Sequence, residues 1–212
     1  MNADETTLPD DVEGLLLVAG YREDGSLDSF ITAHLSDPDA RRRVLALRAA
    51  RRRALADPKV WRRALSDPEV DVRREALTLV ADVAVSDPSL FTLMVEALGD
   101  EDALVVDGAV FALGEHLYAP AVPALIGVAT AHEDARCRES AVAALGAIGD
   151  DRARPAILGA LDDKPAVRRR AIVALANFEG PDIDAALERA SEDRDWQVRA
   201  AVDQLGRDGD VS

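Results

Sequence analysis

One phrase returns along this chain at a spacing that decides its architecture. "DPEVDVRREALTLVADVA", residues 67 to 84, comes back as "DDKPAVRRRAIVALANFEG" and again as "EDRDWQVRAAVDQLG". Aligned on the residue after the recurring Val, positions Arg73, Val106, Arg138, Arg168 and Arg199 fall in register, with gaps of 33, 32, 30 and 31. A period of this size holds two helices and two turns. Such a pair cannot bury its apolar stripe alone, so its neighbours must supply the other wall of the core. The sequence therefore predicts stacked helix pairs, a solenoid.

The pattern inside each unit agrees. In the second helix, Val72, Ala76, Leu79, Val80 and Val83 form one apolar stripe, and Cys137, Ala141, Ala144, Leu145 and Ile148 form its equivalent two units later. Shorter amphipathic first helices are read at "SLFTLMVEAL", "AVPALIGVAT" and "IDAALERA". Pro68, Pro88 and Pro155 stand near expected helix starts, and Gly149 and Gly180 near expected ends. No alternating Val, Ile and Thr run reads as a strand.

With these phrases in view, "VRRRAIVAL" and "CRESAVAALGAIGD", preceded by acidic turns, resemble the HEAT-like repeats of the phycobilisome-lyase type. The resemblance covers about residues 57 to 206, with a degenerate unit before it. It implies an all-α, right-handed α-solenoid of about five to six HEAT-like helix pairs. Repeats of this type occur in scaffolds, cofactor-attachment proteins and enzymes alike, so function must be argued from a site.

An acid six residues before the register arginine recurs as Asp67 with Arg73, Asp162 with Arg168, and Asp193 with Arg199. The acid is read as a helix N-cap or turn residue and the arginine, Arg138 included, as reaching an acidic turn of an adjacent unit. The result would be a structural ladder along the stack. Two units depart from it: Asp100 is followed by Val106, and His132 stands where the acid of the Arg138 unit belongs.

Opposite the core stripe, the second helix offers Arg74, Thr78, Ala81 and Val85, the series that lines the concave surface in the family it resembles. Carried forward, the register gives Asp107, Phe111, Gly114 and Tyr118 with Glu115 beside them, then Glu139, Ala143, Gly146 and Asp150, then Arg169 and Val173. Two aromatics at the middle of the array, rimmed by both signs of charge, mark an anchor for a protein partner. Arg74, Asp107, Phe111, Glu115, Tyr118, Glu139 and Arg169 are the candidate partner-binding residues. The other reading is that Phe111 fills a groove between second helices.

Charge narrows the classes of partner. The chain carries −15 overall, yet Arg41 to Arg63 holds ten basic residues against the single acid Asp57. Acidic surface repels nucleic acid and anionic lipid over the remainder, leaving that stretch as the one route to either. It reads first as a solvated or ladder face and second as a dock for an acidic partner or for the chain's own acidic tail. No apolar run approaches the roughly 18 residues a membrane span needs. The acidic start "MNADETTLPDD" is unlike a secretory signal, so the cytoplasm is expected.

Candidates for chemistry are few. Glu115 and His116, and His132 and Glu133, invite a metal reading like that of the HEAT-like deoxyhypusine hydroxylases, but those use several His-Glu pairs and this chain has three histidines in all. Cys137 sits on the core stripe and reads as a small buried hydrophobe. No Gly-rich phosphate loop follows a strand, so neither cofactor nor metal is expected. Residues 1–26 read as an acidic segment with a capping helix, 27–206 as the repeat domain, 207–212 as a mobile tail, and Trp196 as a cover for the end of the stack. The sequence is thus read as a non-catalytic, monomeric protein-binding scaffold or adaptor. Its alternatives are an accessory or chaperone-like lyase subunit and nucleic-acid binding through residues 41–63.

Overall fold

The computed structural model describes residues 11–23 and 25–209, the last three by backbone alone. The chain forms two compact units, Met1–Leu93 and Met94–Ser212. In the first are helices α1 (Val12–Ala19), α2 (Asp28–His34), α3 (Ala40–Arg52), α4 (Pro58–Leu65) and α5 (Val70–Val80). Helix α6 (Ser89–Glu96) spans the boundary. The second unit continues with α7 (Ala103–Glu115), α8 (Val122–Ala131), α9 (Ala135–Ile148), α10 (Arg154–Gly159), α11 (Pro165–Leu175), α12 (Pro181–Ala190) and α13 (Trp196–Gly209). No strand occurs among the described residues.

In unit 1, α3 packs on α5 and α4 on α5, while α1 and α2 both pack on α3. Leu16 of α1 meets Leu45 and Ala46 of α3. In unit 2 the second helices α7, α9, α11 and α13 lie side by side, each against the next, and α8, α10 and α12 cover α9, α11 and α13 respectively.

Short polar turns set where second helices begin. Asp37, Asp67, Asp100 and Asp193 each accept, through a carboxylate oxygen, the amide of the residue two further on. The residue two further on then precedes the helix: Asp39 and Asp102 cap α3 and α7 by accepting first-turn amides, as Asp134, two places after His132, does for α9. The recurring acid is therefore the turn residue, and the N-cap stands two places later. Gly149 ends α9 at φ 68°, its N–H donating to the carbonyl of Leu145, a left-handed cap that suits a residue without Cβ. Gly180, read as a helix end, is instead the N-cap of α12, at φ 137° ahead of Pro181.

The core stripe is wider than one helical face. Val72, Ala76 and Val80 are buried as expected, but Leu79 and Val83 are half-buried and Leu77 takes the fully buried place. Because α5 ends at Val80, Val83 falls in the following turn. In α9, Cys137, Ala141, Ala144 and Leu145 are joined in the core by Val142 and Gly146, since this helix is flanked on both sides. Ile148 is half-buried.

Small residues let the second helices close up. A Cβ on Gly114 would lie 3.0 Å from that of Ala144, and one on Gly146 only 2.5 Å from that of Ala174. Gly114 and Gly146, placed by the sequence register on the outward series, are thus buried at helix crossings, and Ala81 is buried as well. Helix α13 runs on through Gly209, so the expected tail at 207 begins inside a helix; residues 210–212, like the N-terminal ten, lie outside the described residues.

Candidate functional site

The register arginines bind consecutive turns together. Arg138 donates through Nε and Nη2 to the two carboxylate oxygens of Asp163 at 2.6 and 2.7 Å, while its Nη1 donates to the carbonyls of His132 and Glu133. Arg168 holds Asp193 in the same fork at 2.8 and 2.7 Å and donates Nη1 to the Asp163 carbonyl. At the chain's other end, Arg73 donates Nη1 to the carbonyls of Asp67 and Pro68, as Arg199 does to that of Asp193. Planar forks of this kind fix orientation as well as distance. The bond from Arg138 holds the Asp163 carboxyl below its ordinary range, and that from Arg168 does the same to Asp193.

Two details of the ladder differ from the sequence reading. The carboxylate held by Arg138 is Asp163, not Asp162: the 3-10 turn Ala160–Asp162 closes first, and the extended backbone that presents a carboxylate begins one residue later. The ladder also starts earlier. Arg43, buried in α3, grips Asp67 at 2.9 and 2.7 Å and donates to the carbonyls of Asp37 and Pro38. The signal was present: "DPDARRR" at 37–43 repeats "DPEVDVR" at 67–73 with the arginine in place.

One rung lacks both ends. Val106 is buried where a guanidinium would stand, and His132, where its acid would stand, uses Nδ1 to accept the amide of Asp134 at 3.1 Å. The turn keeps its local bond and loses its cross-link. Apolar packing replaces it, with the thiol of Cys137 donating to the Ala103 carbonyl at 3.2 Å.

On the second helices of unit 2, equivalent positions carry Phe111, Ala143 and Val173, with Phe111 and Val173 each 52% exposed. Leu104, three residues before Asp107, is exposed too. Asp107 is half-buried, Glu115 exposed at the end of α7, and Glu139 half-buried beside Arg170 at 3.4 Å. Arg169 donates to Gln197 Oε1 at 3.3 Å. Tyr118 departs from the expected row: α7 has ended, Leu117 turns the chain at φ 47°, and the ring stands half-buried in the turn. Arg74 lies in unit 1, where it reaches Asp71 at 3.4 Å, and Val85 falls beyond α5.

Trp196 was missed as a candidate site residue. It does not cover the stack but stands 66% exposed at the start of α13. With Arg169, Arg170, Val173, Gln197 and Gln204 it lines an open cleft of about 300 Å³. Its departure from Val70, Ala103, Ala135 and Pro165 at the same register position was the available signal.

The basic stretch is largely compensated within unit 1. Arg41 pairs with Glu13, Arg42 with Asp37, Arg48 with Glu75, Arg51 with Asp82, Arg53 with Asp28 and Arg62 with Asp87. Arg52 lies over the Tyr21 ring at 4.5 Å. Among the described residues, no three His, Cys, Asp and Glu side chains cluster as a metal site, and no helix is long and apolar enough to cross a membrane. Burial, ahead of the field of Asp107, pushes the Cys137 thiol up to about 11.

A family model described as HEAT repeats matches residues 58–146 and 122–206. No curated protein sequence matches. Among solved structures, the protein YIBA of Escherichia coli is 17% identical with a TM-score of 0.64, covering 94% of this chain and 75% of its own. A designed armadillo repeat protein in complex with the peptide (KR)4 is 17% identical with a TM-score of 0.61, covering 84% and 97%. An engineered protein is 19% identical with a TM-score of 0.62, covering 83% and 93%. The likeness is one of fold: an all-α solenoid of the HEAT and armadillo kind.

Proposed function

Since the chain belongs to the HEAT-repeat family, whose stacked second helices form a rigid ridge, we propose that it is a non-catalytic protein-binding module acting through that ridge in unit 2. One observation carries this reading. Among the described residues, the large apolar side chains that unit 2 leaves exposed, Leu104, Phe111, Leu117, Val173 and Trp196, all lie on second helices or in the turn after α7. A partner segment laid across them would bury apolar surface against side chains whose backbone is already ordered, which keeps the entropic cost of binding low.

The acids on the ridge favour a partner with basic residues among its apolar ones. Asp107, Glu115 and Glu139 stand on or beside the apolar row, in a chain of net charge −15. The similar designed armadillo protein was solved with a Lys-Arg peptide, a chemistry that these acids would also suit. The test is a pull-down with Phe111, Val173 and Trp196 all replaced by Ala, beside a control with exposed Glu188 of a first helix replaced by Ala. The triple variant should keep its helical spectrum and lose the partner that the control retains; equal capture by both would contradict the proposal.

A further inference from the structure

Unit 1 contains a cavity of about 220 Å³ between the first helices α2 and α4. Its apolar wall is Leu35, Leu47, Val60, Ala64 and Val72. Its polar rim carries Thr32, Ser36, Lys59 and Arg63, the last two one turn apart on α4 and therefore on one face. A cavity of this size has room for a short aliphatic chain.

The charges around this cavity are unbalanced in a way unique within the basic stretch. Arg41, Arg42, Arg43, Arg48, Arg51, Arg53 and Arg62 each meet a carboxylate, and Arg52 meets an aromatic ring. Among the described residues Lys59 and Arg63 meet neither; Arg63 donates to the Ser36 hydroxyl. Asp67 also faces the cavity, but both its oxygens are held by Arg43, and one also accepts the Glu69 amide. Two like charges thus repel across one helical turn at the mouth of an apolar pocket, an arrangement that an anion with an apolar body would relieve.

We propose that this cavity binds a small aliphatic carboxylate, with its hydrocarbon chain against Leu35, Leu47 and Val60 and its carboxylate between Lys59 and Arg63. A free short-chain fatty acid and the Leu-like C-terminus of a peptide share that chemistry. The ridge of unit 2 plays no part in it.

The experiment is calorimetric titration of the full chain with octanoate at fixed ionic strength. Octanoate should bind at a single saturable site, with 1-octanol and acetate each at least tenfold weaker, because the first lacks the charge and the second the chain. N-acetylleucine binding as tightly as octanoate would identify a chain terminus as the source, and octanoate alone a fatty acid. Lys59→Gln with Arg63→Gln should weaken octanoate at least tenfold with the far-ultraviolet spectrum unchanged. If the double variant fails to fold, Lys59→Gln, which removes no hydrogen bond, supplies the comparison. Absence of saturable binding, equal binding of 1-octanol, or undiminished binding by the variant would overturn the proposal.

Discussion

Arg168 donates to both carboxylate oxygens of Asp193 and to the main-chain carbonyl of Asp163, so a single side chain joins two consecutive repeat turns. Arg168 is 4% exposed, which makes the pair costly to break from one side. Arg168→Ala should destabilise by about 3 kcal/mol, because it strands a largely buried carboxylate. Arg168→Met combined with Asp193→Leu should cost less than Arg168→Ala alone. Urea denaturation curves of the variants check both statements.

The missing rung can be rebuilt. Val106→Arg alone would bury a guanidinium opposite His132 and destabilise, and His132→Asp alone would add an acid with no arginine to receive it. Together they should recover stability, with a favourable coupling of about 1 to 3 kcal/mol in a double-mutant cycle. Strict additivity would show that the turns there are spaced beyond reach of a fork.

Acid should loosen the molecule in a defined window. Arg138 and Arg168 lower the folded-state values of Asp163 and Asp193 below the ordinary 3.8. Their stabilisation is therefore present above that ordinary value and lost as pH falls through the lower folded one. Asp134 and Asp150, held near about 2 by Arg136 and Arg152, extend the window downward. Thermal midpoints should hold steady from about pH 7 to 5 and fall between about pH 4 and 2; a fall already complete above about pH 5 would contradict this.

Cys137 should label slowly with a thiol reagent in the native state and rapidly once unfolded. Its sulfur is buried, donates to a carbonyl, and has its thiolate suppressed by a value of about 11. Native labelling at the unfolded rate would contradict this packing.

The repeat period and apolar spacing made the helix pairs legible, because both follow from local geometry. The faces of the second helices were harder to assign. A stripe opposite the core is outward only if neighbours leave it so, and Gly114 and Gly146 are covered because Ala144 and Ala174 approach them closely, tightly at Gly114 and near enough at Gly146 to exclude a Cβ. Tyr118 escaped the helical register because α7 stops at Glu115. Arg43 was hidden by its neighbours: among so many arginines, composition suggested a charged patch, whereas alignment of its turn identified a rung. Trp196 was read as a cover because large apolar residues are usually buried, and the open side of α11 leaves it in solvent.

Trp196 also supplies the decisive readout. The chain has two tryptophans, and Trp61 is buried in unit 1, so Trp61→Phe leaves Trp196 as the single reporter on the ridge. Acrylamide should quench its fluorescence efficiently in the isolated protein and several-fold less once the captured partner is added at saturation. Unchanged quenching at saturation would place the partner elsewhere and remove the second-helix ridge of unit 2 as the binding surface.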